Sequence, residues 1–383
     1  MSCSLPMELI ISILYRLRVK SLICFKSVSK RWKSLVEDPD FVESYMDQQK
    51  VKTKQLILQC DLTSRFLAMD LDSLDKSRIV NLPKLRRSYR RIDLIGSYNG
   101  LVSLCCTFSN LDDAIVVDFI IWNMATGEHL IIPLELPHPP EYTFLAQGFG
   151  YDGVRDDYKV IRAFKPGRDG GADLVTMVYS LKKHEWVWSI IKSPGYHFDD
   201  RSAAGSLVNG ALHWCAFENY ALDRIIVSFD LNTEEYHKVP LPMMAHDPLP
   251  RMEDELESLE LAVLGDSLCI LVFHDYDVGD IDIWVMKEYM VKESWTKVYS
   301  LRLKIYVRPL VFSTSGYDTL LLMDYEEYQN RVYWYNPSLK EEVQIFETPC
   351  TENFASMVYE ESLTLIVGSK GTRGKPTIKR REK

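Results

Sequence analysis

Nowhere in the 383 residues does an apolar run approach the roughly 18 uninterrupted residues of a membrane-spanning helix, because charges such as Asp118 and Asp266 break each candidate. The first apolar stretch, Leu9 to Leu14, follows Pro6 and Glu8 and is interrupted by Ser12, so it lacks the basic lead and long core of an export signal. The expected compartment is therefore cytoplasm, nucleus or both. Basic charge is also short: 45 Lys and Arg face 54 Asp and Glu, a formal charge of −9 that would repel a phosphate backbone. The eight cysteines contain no C-x-x-C pair, and several lie in apolar runs such as Leu268-Cys269-Ile270-Leu271, so they are expected to be reduced core residues. The eight histidines show no metal-ligand spacing, and His213 beside Trp214 reads as a satisfied core histidine. No G-x-S-x-G elbow or P-loop occurs, and Gly148-Phe149-Gly150 lacks the third glycine of a dinucleotide fingerprint. Neither catalysis nor a cofactor or metal is expected.

What is present divides into two parts. Residues 5 to 46 have helical periodicity and few turn residues. Pro6 suits a first helical turn and Glu8 favours its positive end. Leu9, Ile10, Ile13, Leu14 and Leu17 then form an apolar stripe too wide for a lone helix in water. Ser21 is placed to cap a second helix and Ser29 a third carrying Trp32, Leu35 and Val36, while Asp38-Pro39 ends the third. So small a helical module buries little surface, which implies a partner surface or a cap on the rest of the chain.

The run Leu5-Pro6-Met7-Glu8-Leu9-Ile10, then Arg16 to Leu22, Phe25 to Leu35 and Asp38-Pro39-Asp40-Phe41, closely resembles a plant F-box. The resemblance implies a helical domain over residues 1–46 that docks on a Skp1-like adaptor and, through it, a cullin-RING ubiquitin ligase. Leu5, Pro6, Ile10, Leu17, Leu22, Val28, Trp32 and Leu35 are its implied adaptor-binding residues. Arg18, Cys24 and Ser29 depart from the usual proline, arginine and cysteine. Loss of the proline is expected to loosen the first interhelical turn without abolishing docking, because the apolar positions are retained.

After a linker at 47–54 the sequence changes to short Val-, Ile-, Leu-, Tyr- and Trp-rich runs separated by turns, which read as strands. Gly100, Gly153, Gly210, Gly265 and Gly316 open strand pairs 51 to 57 residues apart, the length of a four-stranded propeller blade. Second turns recur after Trp122, Ser180, Asp230, Trp284 and Tyr335, and Met69 to Leu74 parallels Phe229 to Thr233. The count is six blades. A final hairpin of Ser356 to Tyr359 with Leu363 to Val367 is expected to complete the incomplete first blade. Residues 55–370 resemble the kelch-like F-box-associated interaction domain, through Gly148 to Asp152 with Asp156 to Val160, Met286 to Tyr289 with Ser294 to Val298, and Arg308 to Val311. The runs Asp70 to Asp75 and Val367 to Gly371 look most like the subgroup named for constitutive expression of pathogenesis-related genes. The basic tail, 371–383, is expected to be disordered.

The fold expected is thus a small all-α F-box followed by an all-β propeller-like domain. The resemblance implies a non-catalytic substrate receptor of a ubiquitin ligase, which holds the adaptor through the F-box and an unknown target protein through the propeller, leading to proteasomal degradation. A carbohydrate-binding or carbohydrate-active propeller and a non-degradative scaffold are the alternatives, the first motivated by aromatics and carboxylates in loops such as 253–260, 275–282 and 324–327. No direct nucleic-acid or membrane partner is expected. Since loops carry recognition in propellers, Tyr196, Phe198 and Arg201 in the 193–202 loop are the expected target contacts, with 165–173 and 243–260 as further candidate loops.

Overall fold

The computed structural model describes residues 6–48, 54–60, 65–83, 85, 87–109, 115–134, 142–166, 173–192, 196–198, 204–218, 223–242, 258–275, 280–303, 307–312, 319–326, 329–348, 355–366 and 376–380. Four short helices open the chain: α1 (Met7–Leu14), α2 (Val19–Phe25), α3 (Lys30–Val36) and α4 (Pro39–Gln48). The Ser29 hydroxyl accepts the Trp32 amide (3.1 Å), the cap expected of it. Ser21 is no cap. It lies inside α2, whose N-cap is the extended Arg18 and carries no side-chain hydrogen bond. Asp38 both ends α3 and starts α4, accepting the amides of Asp40 and Phe41, with Pro39 in the first helical position.

Six antiparallel sheets follow. Blade 1 holds β1 (Lys54–Gln59), β2 (Arg65–Asp70) and β3 (Ser73–Asn81). Blade 2 is β4 (Arg91–Tyr98), β5 (Leu101–Ser109), β6 (Ile115–Trp122) and β7 (His129–Leu134). Blade 3 is β8 (Tyr142–Asp152), β9 (Asp157–Pro166), β10 (Asp173–Ser180) and β11 (Glu185–Lys192). In blade 4 the short β12 (Tyr196–Phe198) and β13 (Ser206–Val208) share one edge of β14 (Ala211–Glu218), followed by β15 (Asp223–Asp230) and β16 (Tyr236–Val239). Blade 5 is β17 (Ser258–Leu264), β18 (Ser267–Asp275), β19 (Asp280–Met286) and β20 (Trp295–Arg302). Blade 6 is β21 (Val307–Phe312), β22 (Leu320–Glu326), β23 (Gln329–Asn336) and β24 (Glu341–Glu347). The innermost strands β4, β8, β13, β17 and β21, with β25 (Ser356–Glu360) in that place in blade 1, face one another around the axis and enclose a cavity of about 420 Å³ lined by residues such as Leu56, Ile95, Phe149, Leu261 and Val311.

The expected repeat is present and its turns have a physical basis. Asn99-Gly100 and Asn209-Gly210 make two-residue turns with both residues at positive φ, the geometry that matches strand twist. Blade 3 differs: its turn spans four residues, and the left-handed position is Asp156 rather than Gly153. The outer turns of blades 2, 4 and 6 share a side-chain device. The side-chain oxygens of Asn123, Asp230 and Asn336 each accept two backbone amides two and three residues on, and Gly127, Glu234 and Lys340 close the turns at positive φ.

The core is divided among the blade interfaces. Leu56 and Leu58 of β1 pack toward blade 6, whereas Ile57 between them packs toward blade 2. Alternate side chains of one strand thus enter opposite interfaces, so inner strands are apolar on both faces and read as unbroken hydrophobic runs.

Four expectations are corrected. The ring is closed by a single strand, β25 (Ser356–Glu360), which pairs with β1, and residues 361–366 form no strand. They run as a strap across blade 2, because Leu363 is buried among the helices rather than at a sheet edge. The segment 371–383 is not wholly irregular: β26 (Thr377–Arg380) joins the outer edge of blade 3 in parallel. Cys24 is exposed on α2. Cys60, only partly buried at the end of β1, is disulfide-bonded. Cys105, Cys106, Cys215 and Cys269 are free and buried as expected, and burial pushes the Cys269 thiol up to about 12.

Candidate functional site

The helical module has two sides. Leu14, Val19, Leu22, Val36, Phe41, Val42 and Tyr45 form a buried cluster with Leu363 of the strap. Tyr15 stacks on Phe41 at 5.1 Å, and the Tyr45 hydroxyl donates to the Leu17 carbonyl (2.7 Å), burial raising that phenol to about 12. The strap is fastened on its other side to blade 2: the Asn123 side-chain amide donates to the carbonyls of Ser362 (3.1 Å) and Thr364 (3.0 Å). Lys20 on α2 reaches the buried Glu361 at 2.8 Å. Residues on both sides of residue 363 therefore tie the helices to the ring.

Away from the strap, Leu9 is 51% exposed, Ile13 49% and Val28 60%. Large apolar side chains left in water on a folded module mark an interaction surface when they cluster. Of the sequence-predicted adaptor residues, Pro6 and Val28 are exposed, and Ile10, Leu17, Trp32 and Leu35 are half-buried against the helical cluster. Leu22 is fully buried and serves the helical core, so it cannot touch a partner directly. Leu5 lies outside the described residues. Leu9 and Ile13 were legible as part of the apolar stripe, but periodicity alone cannot say which half of a wide stripe faces inward.

The ring has two ends as well. The chain enters β1 from the helices at Lys54, opposite Glu360, and the turns at Asn99-Gly100, Asn209-Gly210 and Asn123 to Gly127 lie at this end with the strap. The far end carries the connections between second and third strands and between blades, flanked by Gln59 and Arg65, Glu218 and Asp223, and Asp275 and Asp280. The candidate loops 165–173, 193–202 and 243–260 all belong to the far end by this topology.

The predicted target contacts are not brought together as a surface. Phe198 is a core residue, 8% exposed, with its ring edge-on to Trp214 (6.0 Å) and Tyr236 (6.4 Å). The physical reason is that Tyr196–Phe198 is a strand paired with β14, and its alternate residues face the blade interior. Tyr196 is half-buried against Ala216, Ile225 and Val227. Arg201 lies outside the described residues, as do most of loops 165–173 and 243–260.

The acidic stretches are partly used up by neighbours. Asp282 receives Ser300 (2.6 Å), His274 (3.1 Å) and Lys297 (3.2 Å), and although burial alone would raise its carboxyl, these hydrogen bonds hold it below the usual range. Asp324 is fully buried and paired with Arg331. His213 is satisfied as expected: its Nδ1 lies 3.0 Å from the Ser206 carbonyl and its Nε2 2.9 Å from the Tyr289 hydroxyl, and burial lowers it to about 4. Among the described residues no group of three His, Cys, Asp or Glu could hold a metal ion, and no helix is long and apolar enough to cross a membrane.

Residues 63–366 match the family described as the F-box associated beta propeller domain, and residues 2–44 match the F-box domain. F-box protein CPR1 of Arabidopsis thaliana is 29% identical, over 96% of this chain and 90% of its own length, which agrees with the subgroup expected from the sequence. From the same organism, F-box protein At4g22390 is 25% identical over 99% and 93% of the two chains, and F-box/kelch-repeat protein At3g23880 is 28% identical over 81% and 83%. Helices and ring together are accounted for, and the chain belongs to the F-box proteins that carry an F-box-associated β-propeller.

Proposed function

We propose that the chain is the substrate-recognition subunit of a Skp1-cullin-F-box ubiquitin ligase, acting in the cytoplasm or nucleus. The helices dock on a Skp1-like adaptor, and the far end of the ring holds a target protein for ubiquitination and proteasomal degradation. The chain itself supplies no chemistry. It supplies proximity, by holding one protein at each end of a rigid body. The observation that carries this reading is the two-sidedness of the F-box, with Leu9, Ile13 and Val28 left in water while the opposite side is fixed to the ring through Leu363.

The test is calorimetry of the full chain with a Skp1-like adaptor. The double substitution Leu9→Glu with Ile13→Glu is expected to lower affinity at least about 100-fold, since buried apolar anchors dominate interface energetics. The melting temperature should stay unchanged, because both side chains are already exposed. Adaptor affinity that survives the substitution would refute the docking face, and no binding by the parent chain would refute the receptor role.

A further inference from the structure

We propose that the outer edge of blade 3 is a docking edge for an extended basic segment of a partner protein, and that residues 377–380 of this chain occupy it in cis. The strand β26 runs parallel to β11 in the register Thr377 opposite Glu185 through Arg380 opposite Trp188. Strand addition to a sheet edge draws its affinity from main-chain hydrogen bonds that any sequence can make, and its specificity from alternate side chains. Here both faces of the added strand make contacts, Ile378 and Arg380 on one and Lys379 on the other. Ile378 packs against the core between blades 2 and 3 beside Trp188. The Lys379 Nζ lies 2.5 Å from the Glu185 carboxylate, whose side chain is mostly buried. The Arg380 guanidinium sits 5.1 Å over the Trp188 ring. The edge therefore reads an apolar residue followed by two basic ones, and an acidic segment would meet Glu185 as a like charge.

Among the described residues, β26 pairs with four of the eight residues of β11, Glu185 to Trp188. Ile190, farther along the same strand, is 42% exposed. A partner segment with the same three side chains that continues past Arg380 can extend the backbone pairing along Ser189 to Lys192 and cover Ile190. Residues 377–380 thus act as an edge protector that a longer segment of matching chemistry displaces. This site lies on the flank of the ring, apart from both ends, and does not depend on adaptor binding.

The experiment is fluorescence anisotropy with a labelled synthetic peptide of residues 374–383, titrated with the full chain and with a chain lacking residues 371–383. The shortened chain is expected to bind the peptide at least tenfold more tightly than the full chain, whose edge is filled. Glu185→Lys in the shortened chain should weaken binding at least tenfold, and a peptide carrying Lys379→Glu should restore it. Misfolding cannot produce that restoration. Absence of binding to the shortened chain, equal affinity for both chains, or failure of the charge exchange to restore binding would each overturn the proposal. A concentration-dependent dimer of the full chain that disappears on deletion of 371–383 would also overturn it, assigning the edge to strand exchange between copies.

Discussion

At the F-box end of the ring, strands are joined by turns of two to eight residues, in three of which backbone amides are tied to Asn123, Asp230 and Asn336, and the strap and helices pack directly onto that surface. At the far end several connections between blades are longer, as in 82–90, 193–205 and 240–257, and they join strands whose interiors are already fixed by the interface clusters. One end is therefore constrained by geometry and the other is left open to sequence change. In the receptor role proposed above, such a scaffold would keep a fixed distance and angle between the F-box and a target at the far end, while recognition alters without disturbing the frame.

That contrast can be broken most severely by ending the chain at residue 355. Loss of β25 and the strap removes the buried Tyr359, Leu363 and Ile366 and opens the edge of β1, for an expected loss of roughly 5 kcal/mol or more. Chemical denaturation should show it, whereas a chain ending at residue 366 should keep nearly all its stability. If both truncations melt alike, closure does not reside in β25 and the strap. Leu363→Ala is the next largest, at about 3 kcal/mol, because it leaves a cavity among Leu14, Leu22, Phe41 and Tyr45. Protease cutting between the helices and the ring should accelerate in this variant, and an unchanged cutting rate would contradict the seating of the helices on Leu363.

Acid offers a third test. His213, the third residue after the Asn209-Gly210 turn, has a folded value of about 4, below its unfolded value. The unfolded chain therefore takes up a proton below pH 6.5 that the folded chain refuses, so stability falls as pH drops from about 6.5 toward 4. By pH 5 the loss from this residue is about 2 kcal/mol, and denaturation of a His213→Gln variant at pH 7 and pH 5 should show that much less acid sensitivity. The smallest effect compares two glycines. Gly100 and Gly210 both sit at positive φ in Asn-Gly turns, so alanine at either costs about 1 kcal/mol. Only Gly100 lies under the strap, where an added Cβ would fall 2.9 Å from the Ser362 amide nitrogen, whereas Gly210 faces open space. Gly100→Ala should therefore cost at least about 1 kcal/mol more. Equal melting temperatures would mean the strap does not press on this turn.

Much of this architecture was legible in the sequence because it rests on local rules repeated many times. The glycine spacing marked the inner turns, strands ending in an aromatic or acidic residue marked the outer ones, and the leucine stripe with Ser29 and Asp38-Pro39 marked the helices. Features set by contacts distant in sequence were not legible. The strap joins Leu363 to Leu14 and Asn123 to Ser362, separations that no periodicity encodes. The same holds for β26, whose Lys and Arg read as a solvated tail until Glu185 and Trp188 are brought beside them. Phe198 misled for the opposite reason, since glycine, proline and charge around it signal a loop although the residue itself is the inner strand of a blade.

The position of β25 and the strap in the chain has a consequence for biosynthesis. The helices emerge from the ribosome first, yet the wedge that seats them and the strand that closes the ring are encoded after residue 355. Every earlier blade must wait with the β1 edge unpaired, and contacts spanning more than 300 residues form only once residues 356–366 have been made. A polypeptide interrupted before residue 356 therefore exposes an open sheet edge together with an unseated F-box, and synthesis through residue 366 becomes a condition for a stable F-box.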